Sequence, residues 1–146
     1  MEFKQTGNIY VVRVYKGEEL VETLQSLCGQ AGIVCGTVSG LGAINSVTMR
    51  FFDTTTKRYA DCTINKNLEI TSLLGNISQM NGQAYLHLHI NVAGDDYKTF
   101  GGHLLAARVS ATAELIVQTF SVKVERCYSD EIGLNLLSFQ PDKGQG

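Results

Sequence analysis

Apolar and polar positions alternate along most of this chain with the period of a strand, and one stretch alone takes the period of a helix. Ile9 to Tyr15 is β-branched and aromatic with Arg13 inside it, which predicts a first strand. Lys16-Gly17 turns the chain. Glu18 and Glu19 then open a helix, where carboxylates favour the dipole, and Leu20, Val21, Leu24, Leu27 and Cys28 follow as its core stripe. Gly29 and Gly32 bracket its end. Ile33 to Val38 is a continuous apolar run, too short for a helix and suited to a buried strand. Ser46 to Asp53 and Arg58 to Ile64 read as strands joined through Thr54 to Lys57. Leu68 to Asn76 alternates with Leu68, Ile70, Ser72 and Leu74 on one face, and Ser78 to Gly82 reads as a loop. Tyr85 to Val92 is a further strand. Leu104 to Val109 reads as a short helical or irregular crossing, and Ala111 to Phe120 alternates again. Val122 to Arg126 and Leu134 to Phe139 read as final strands, separated by Tyr128 to Asp130. This order predicts an α+β fold, a mostly antiparallel sheet of about seven strands with one main helix. It forms a single domain over residues 1–140, followed by a flexible C-terminal tail at 141–146. One helix covers only part of such a sheet, so the sheet curls on itself or meets another subunit.

Composition narrows the function. Of 146 residues, 18% are charged, below the ~25% average, which fits surface hidden in an oligomer or a compact β-rich monomer. The formal net charge of −2 excludes a polyanion binder on composition alone. The four cysteines, Cys28, Cys35, Cys62 and Cys127, form no C-x-x-C pair, and Met1 to Gly7 is polar. With no signal peptide and no apolar run of ~18–20 residues, the expectation is a cytoplasmic protein with reduced thiols and no membrane partner.

The candidate chemistry is concentrated in Tyr85 to His103, which holds all three histidines, His87, His89 and His103. Alternate strand residues share a face, so Tyr85, His87, His89 and Asn91 point one way and Leu86, Leu88, Ile90 and Val92 the other. The two histidines of the pair stand roughly 6–7 Å apart at the backbone. Gly94-Asp95-Asp96 marks a turn, and Gly101-Gly102 allows positive φ or a close backbone approach that returns His103 to the pair. Three neutral imidazoles with an open position suit Zn²⁺, and also Fe²⁺, Ni²⁺ or Cu²⁺. The bland alternative is three structural or surface histidines. Glu114 is a candidate general base or orienting partner for a histidine, or a carboxylate paired with Arg13, itself either an anion contact or an exposed strand arginine. Ser39-Gly40-Leu41-Gly42-Ala43 is either an anion cradle or a bulge where another backbone comes close. Ser39 has no adjacent base, so no nucleophile and no catalytic residue is assigned.

Five segments together carry a family resemblance. They are Arg13-Val14-x-x-Gly17-Glu18-Glu19-Leu20, Val38 to Ala43, His87-x-His89, Gly101-Gly102-His103-Leu104 and Thr112-x-Glu114. In this order, across about Ile9 to Phe139, the chain resembles the plants and prokaryotes conserved (PPC) domain family. The resemblance implies an α+β fold with a seven-stranded antiparallel sheet and a homotrimer. Plant members join the domain to an AT-hook and act as DNA-associated nuclear regulators, and stand-alone bacterial and archaeal members are labelled as candidate DNA-binding proteins. An AT-hook needs an Arg-Gly-Arg core, and that triplet does not occur here. Two functions follow. One is a trimeric regulatory or scaffold module that meets DNA or a transcription-associated protein partner and carries a three-histidine metal site, zinc first, iron or nickel next. The other is a metal-dependent small-molecule binder or enzyme with no direct DNA role.

Overall fold

A computed structural model describes residues 1–139; the expected tail at 141–146 lies outside the described residues. One helix, α1 (Leu20–Ala31), and nine strands follow in chain order: β1 (Glu2–Thr6), β2 (Ile9–Tyr15), β3 (Gly36–Asp53), β4 (Arg58–Ile64), β5 (Leu68–Met80), β6 (Gln83–Ala93), β7 (Thr99–Thr119), β8 (Glu125–Ser129) and β9 (Leu134–Ser138). The α+β class and the mostly antiparallel sheet match the expectation, with nine strands instead of about seven. One of the additional strands is β1, whose polar side chains are all exposed and which is held by its ladder to β2.

The sheet curls on itself. β3 pairs with β5, β5 with β6, β6 with β7, and β7 returns to β3, so these four strands close a ring. β2 extends it beside β7. β4 extends it beside β3, and β8 touches β5 through a single parallel bridge, Gln79 with Glu125. Helix α1 buries Leu20, Leu24, Leu27 and Cys28, which join Val12, Val14, Val38, Leu88, Leu115 and Val117 in one core. Glu19 caps the helix by accepting from the Glu22 amide at 2.7 Å. Its other oxygen accepts from the Ala107 amide at 2.7 Å, which ties the helix start to β7. Gly32, in the left-handed region, ends the helix, while Gly29 lies inside it.

Three expectations change. First, one long strand, β3, runs from Gly36 to Asp53 in place of two with a bend between them, and Ile33 to Cys35 precede it. The register slips at Gly40/Gly42 against β5, and the neighbouring backbones press close. A Cβ on Gly42 would lie 2.5 Å from the Thr112 carbonyl oxygen and one on Gly40 2.8 Å from that of Glu114. The bulge alternative therefore describes this segment, and its backbone is engaged by strands on both sides. Second, the bulge between Ile70 and Ser72 reverses the faces of β5, so Leu73 is buried and Leu74 is 59% exposed. The alternation drawn through Leu68, Ile70, Ser72 and Leu74 breaks there. Third, Ser78 to Met80 continues β5 up to a two-residue turn at Asn81 and Gly82, both with positive φ, and Leu104 to Val109 continues β7. Both segments satisfy their backbone groups in ladders, which local polarity does not reveal. The last two strands lie at Glu125–Ser129 and Leu134–Ser138, so Val122 to Val124 precede the hairpin and Tyr128 and Ser129 lie inside it.

Candidate metal centre

Strand β6 buries Leu88, Ile90 and Val92 and turns His87 and His89 to the opposite face, as the two-residue period requires. His103 on β7 stands directly across the ladder from His89. β7 reaches that place because Gly101 lets it press against β6: a Cβ there would run into the Ile90 carbonyl oxygen and sit 3.1 Å from the Asn91 Cα. Neither Gly101 nor Gly102 has positive φ, so the close approach is the use made of the pair. The three imidazole centroids are 5.1 to 5.5 Å apart. One nitrogen from each ring lies within 4.8 Å of the other two.

The surroundings favour the neutral form of His87 and His103. Burial lowers the His87 pKa below its ordinary value, reinforced by the charges of Arg126 and His89. Burial also lowers His103, to about 4, helped by His87, His89, Arg50 and Arg126. Neutral imidazole is the form that ligates a metal.

The histidines form one wall of an open cleft of about 860 Å³ under the β8–β9 hairpin. Arg126 is its anchor and, at 8% exposure, the one buried charged side chain among the described residues. Its Nε donates to Ser78 Oγ at 2.8 Å, Nη1 to the Asn135 carbonyl at 2.7 Å and Nη2 to Asn76 Oδ1 at 2.9 Å. Nη2 also lies 3.4 Å from His87 Nδ1, and the guanidinium sits 4.8 Å from the Tyr85 ring centre. Across the cleft Arg50 is held by Asp61 through two 2.7 Å contacts and lies over Tyr59. Phe51, Phe52, Leu136 and Leu137 supply apolar walls.

The other residues singled out from sequence fall elsewhere. Gly102 lines the cleft and Gly101 shapes the crossing. Ser39, Gly40 and Gly42 lie in the β3 ladder and do not line the cleft. Arg13 and Glu114 face one another between β2 and β7, both exposed. Glu114 is eleven residues along β7 from His103, more than ~30 Å of strand path. Arg13 pairs with Glu2 at 3.3 Å. The groups around the histidines are instead Arg126, Asn76, Tyr85 and Arg50. Tyr85 was legible as a face-mate of the pair; Arg126 meets Ser78, Asn76 and His87 from 39 to 50 residues away, and no local pattern signals that.

The donor set fits a borderline divalent ion. Three nitrogens without a carboxylate are what Zn²⁺, Fe²⁺ or Ni²⁺ accept, and tetrahedral bonds of ~2.1 Å would set them ~3.4 Å apart.

Known proteins share this fold. A crystal structure of a candidate DNA-binding protein from Bacteroides thetaiotaomicron is 42% identical, with a TM-score of 0.92 over 94% of this chain and 96% of that one. A metal-containing protein from Archaeoglobus fulgidus is 28% identical, with a TM-score of 0.85 over 95% of this chain and 99% of that one. A curated relative, the bifunctional protein GlmU of a Synechococcus strain, is 32% identical over 111 residues, 75% of this chain and 16% of its own length. The chain thus corresponds to a small part of that larger protein. The family model described as the Plants and Prokaryotes Conserved (PCC) domain matches residues 1–121, the family whose motifs the sequence resembles, and this chain belongs to it.

Proposed function

We propose that this PCC-domain protein is a homotrimeric regulatory module whose His87, His89 and His103 hold a divalent ion, zinc before iron or nickel. The observation that carries the metal reading is the convergence of three imidazole nitrogens within 4.8 Å in a setting that keeps two of the rings neutral. The Archaeoglobus relative, named as metal-containing, supports it. When bound, such an ion supplies a Lewis-acid centre or an activated water. Gly101 and the β6–β7 ladder position the rings, and Arg126 with Asn76 and Tyr85 forms the polar floor beside them. Elemental analysis of protein purified without a histidine tag tests this, with about one ion per chain expected. An ion shared on a three-fold axis gives one per trimer, and protein that stays metal-free after growth with added zinc and iron sinks the reading.

What supports self-association is the outer face of the sheet. Val11, Ile116, Ser39, Leu74 and His89 lie opposite one another across five strands, so they share that face. Val11, Leu41, Leu74 and Ile116 are 43 to 59% exposed there. Exposed apolar side chains grouped on one face, here interleaved with polar Ser39 and His89, are a feature of protein interfaces. Light scattering should give about three times the 15.9 kDa chain mass; a monomer at micromolar concentration rejects the trimer.

A DNA-associated role is the second reading, favoured by the naming of the Bacteroides relative. The charge distribution points away from direct duplex binding. Net charge is −2, and Arg13, Arg50, Lys98 and Lys123 each pair with a carboxylate. A regulatory role therefore runs through a protein partner in the cytoplasm. A gel shift at nanomolar protein that survives 200 mM salt would overturn that order of preference. No helix among the described residues is long and apolar enough to cross a membrane.

A further inference from the structure

Arg126 lacks the partner that a buried cation requires. Its hydrogen bonds go to a hydroxyl, a backbone carbonyl and an amide oxygen, all neutral. No carboxylate among the described residues pairs with it, and none lines the cleft beside it. Buried charges are ordinarily paired, because leaving one without a counter-charge is costly. Arg50, on the same cleft, has that counter-charge in Asp61. The floor of the cleft is thus positive before any ion binds.

Metal loading sharpens this deficit. The fourth neighbour of Arg126 is His87 Nδ1, 3.4 Å from Nη2, where a neutral ring accepts from the guanidinium. If the other ring nitrogen takes the ion, Nδ1 carries the proton and becomes a donor. If Nδ1 takes the ion, its lone pair is used. In both cases Arg126 loses that acceptor, since arginine can only donate. An N–H of Nη2 is then left facing the cleft beside a divalent charge.

The cleft walls define the rest of the ligand. Phe51, Tyr59, Leu136 and Leu137 are 68, 51, 41 and 40% exposed and line this one depression with Phe52 and Leu134. Grouped exposed apolar side chains around a charged anchor characterise a small-molecule pocket. A phosphate would call for several unpaired cations or free backbone amides, whereas the cleft offers one unpaired guanidinium, Arg50 being paired with Asp61, and this suits a monocarboxylate. The geometry points to a small monocarboxylate with an apolar body, its carboxylate on Arg126 beside the histidine centre and its body against Phe52, Tyr59 and Leu136. This rests on the metal reading of the same site, and Arg126 here is a binding residue without an assigned reaction.

The experiment is calorimetric titration of the zinc-loaded full chain with 3-phenylpropanoate, with 3-phenylpropanamide as the neutral isostere and inorganic phosphate as the generic oxyanion. The acid should bind at least tenfold tighter than either control. Arg126→Gln should reduce the preference for acid over amide at least tenfold while His87, His89 and His103 still retain zinc. Arg126→Lys, which keeps the charge and loses the planar fork, should fall between the two and covers the case in which the glutamine variant does not fold. Equal affinity for acid and amide, phosphate binding as tight as the acid, or an acid preference untouched in a folded Arg126 variant overturns the inference. The same titration on metal-free protein separates the two proposals. An acid preference in protein that never retains zinc overturns the metal reading alone. Retained zinc without an acid preference overturns this inference alone.

Discussion

Arg13 and Arg126 lie on one sheet system and live under opposite rules. Arg13 is 58% exposed at its side chain, pairs with Glu2 at 3.3 Å and faces Glu114 across the ladder. Arg126 is 8% exposed, held by neutral oxygens and placed against a histidine of the three-histidine group. Water solvates the first, so its ion pair is worth ~0–1 kcal/mol. Protein must replace water around the second, so every group near it is committed. From the sequence Arg13 stood out, and Arg126 only ended a strand. Burial decides between them, and among the described residues the cleft region combines three histidines, a fixed cation and an enclosing wall.

If the two regions differ in this way, changes in them should give crossed effects. The largest expected contrast is metal content. His89→Ala should lose the ion entirely, whereas Glu114→Ala and Arg13→Ala should retain it at the wild-type ratio. Elemental analysis of the three variants measures this, and loss of metal in Glu114→Ala would merge the two regions.

Stability should show the reverse pattern next. Gly42→Ala forces a Cβ against the Thr112 carbonyl and the Ala113 Cα, 2.5 and 2.6 Å away. Repacking at that price should destabilise by ~2 kcal/mol, read from urea midpoints, with metal content unchanged. An alanine variant that melts with the wild type would make the segment an ordinary stretch of strand.

Acid should act through the cleft. His103 has a folded pKa of about 4 against an ordinary 6.5, so the unfolded chain takes up a proton that the native state refuses. This group's contribution to stability is complete above pH 6.5 and is lost as pH falls towards 4. Metal-free protein should show a falling melting temperature across that window, and His103→Gln should flatten it. Metal occupancy should decline in the same direction, because the ligands must be neutral. A melting temperature that rises on acidification would contradict the assignment.

The smallest effect belongs to Arg13→Ala, which should change stability by less than ~1 kcal/mol and weaken further with salt. A larger cost would show that this ladder pair is part of an interface between copies.

Much of this molecule was legible from local pattern. The strand Ile9–Tyr15 and the helix stripe from Leu20 to Cys28 follow from periodicity, because each presents one apolar face to the core, while the strand Arg58–Ile64, exposed except at Ile64, follows from its residue types and its flanking turns. The His87-x-His89 pair follows from the same two-residue rule, and the close packing at Gly101 was one of two uses open to that glycine pair. Where local pattern misled, a non-local ladder had taken over. Leu104 to Val109 looked irregular because its backbone is satisfied by β3, far away in sequence, and the bulge at Ile70/Ser72 changed faces without any residue that announces it.

The sequence by itself determined the residue types at the site, the face that two histidines share and the α+β class, since these depend on chain chirality, strand period and composition. Only the tertiary structure decided that β3, β5, β6 and β7 close into a ring, that His103 stands across from His89, and that Arg126 lies buried beside them while Glu114 stays far along β7. The physical reason is range. Periodicity acts over a few residues, whereas the cleft is assembled from positions 50 to 137, and which of them meet is settled by register shifts and by the burial of a charge that no short window of sequence contains.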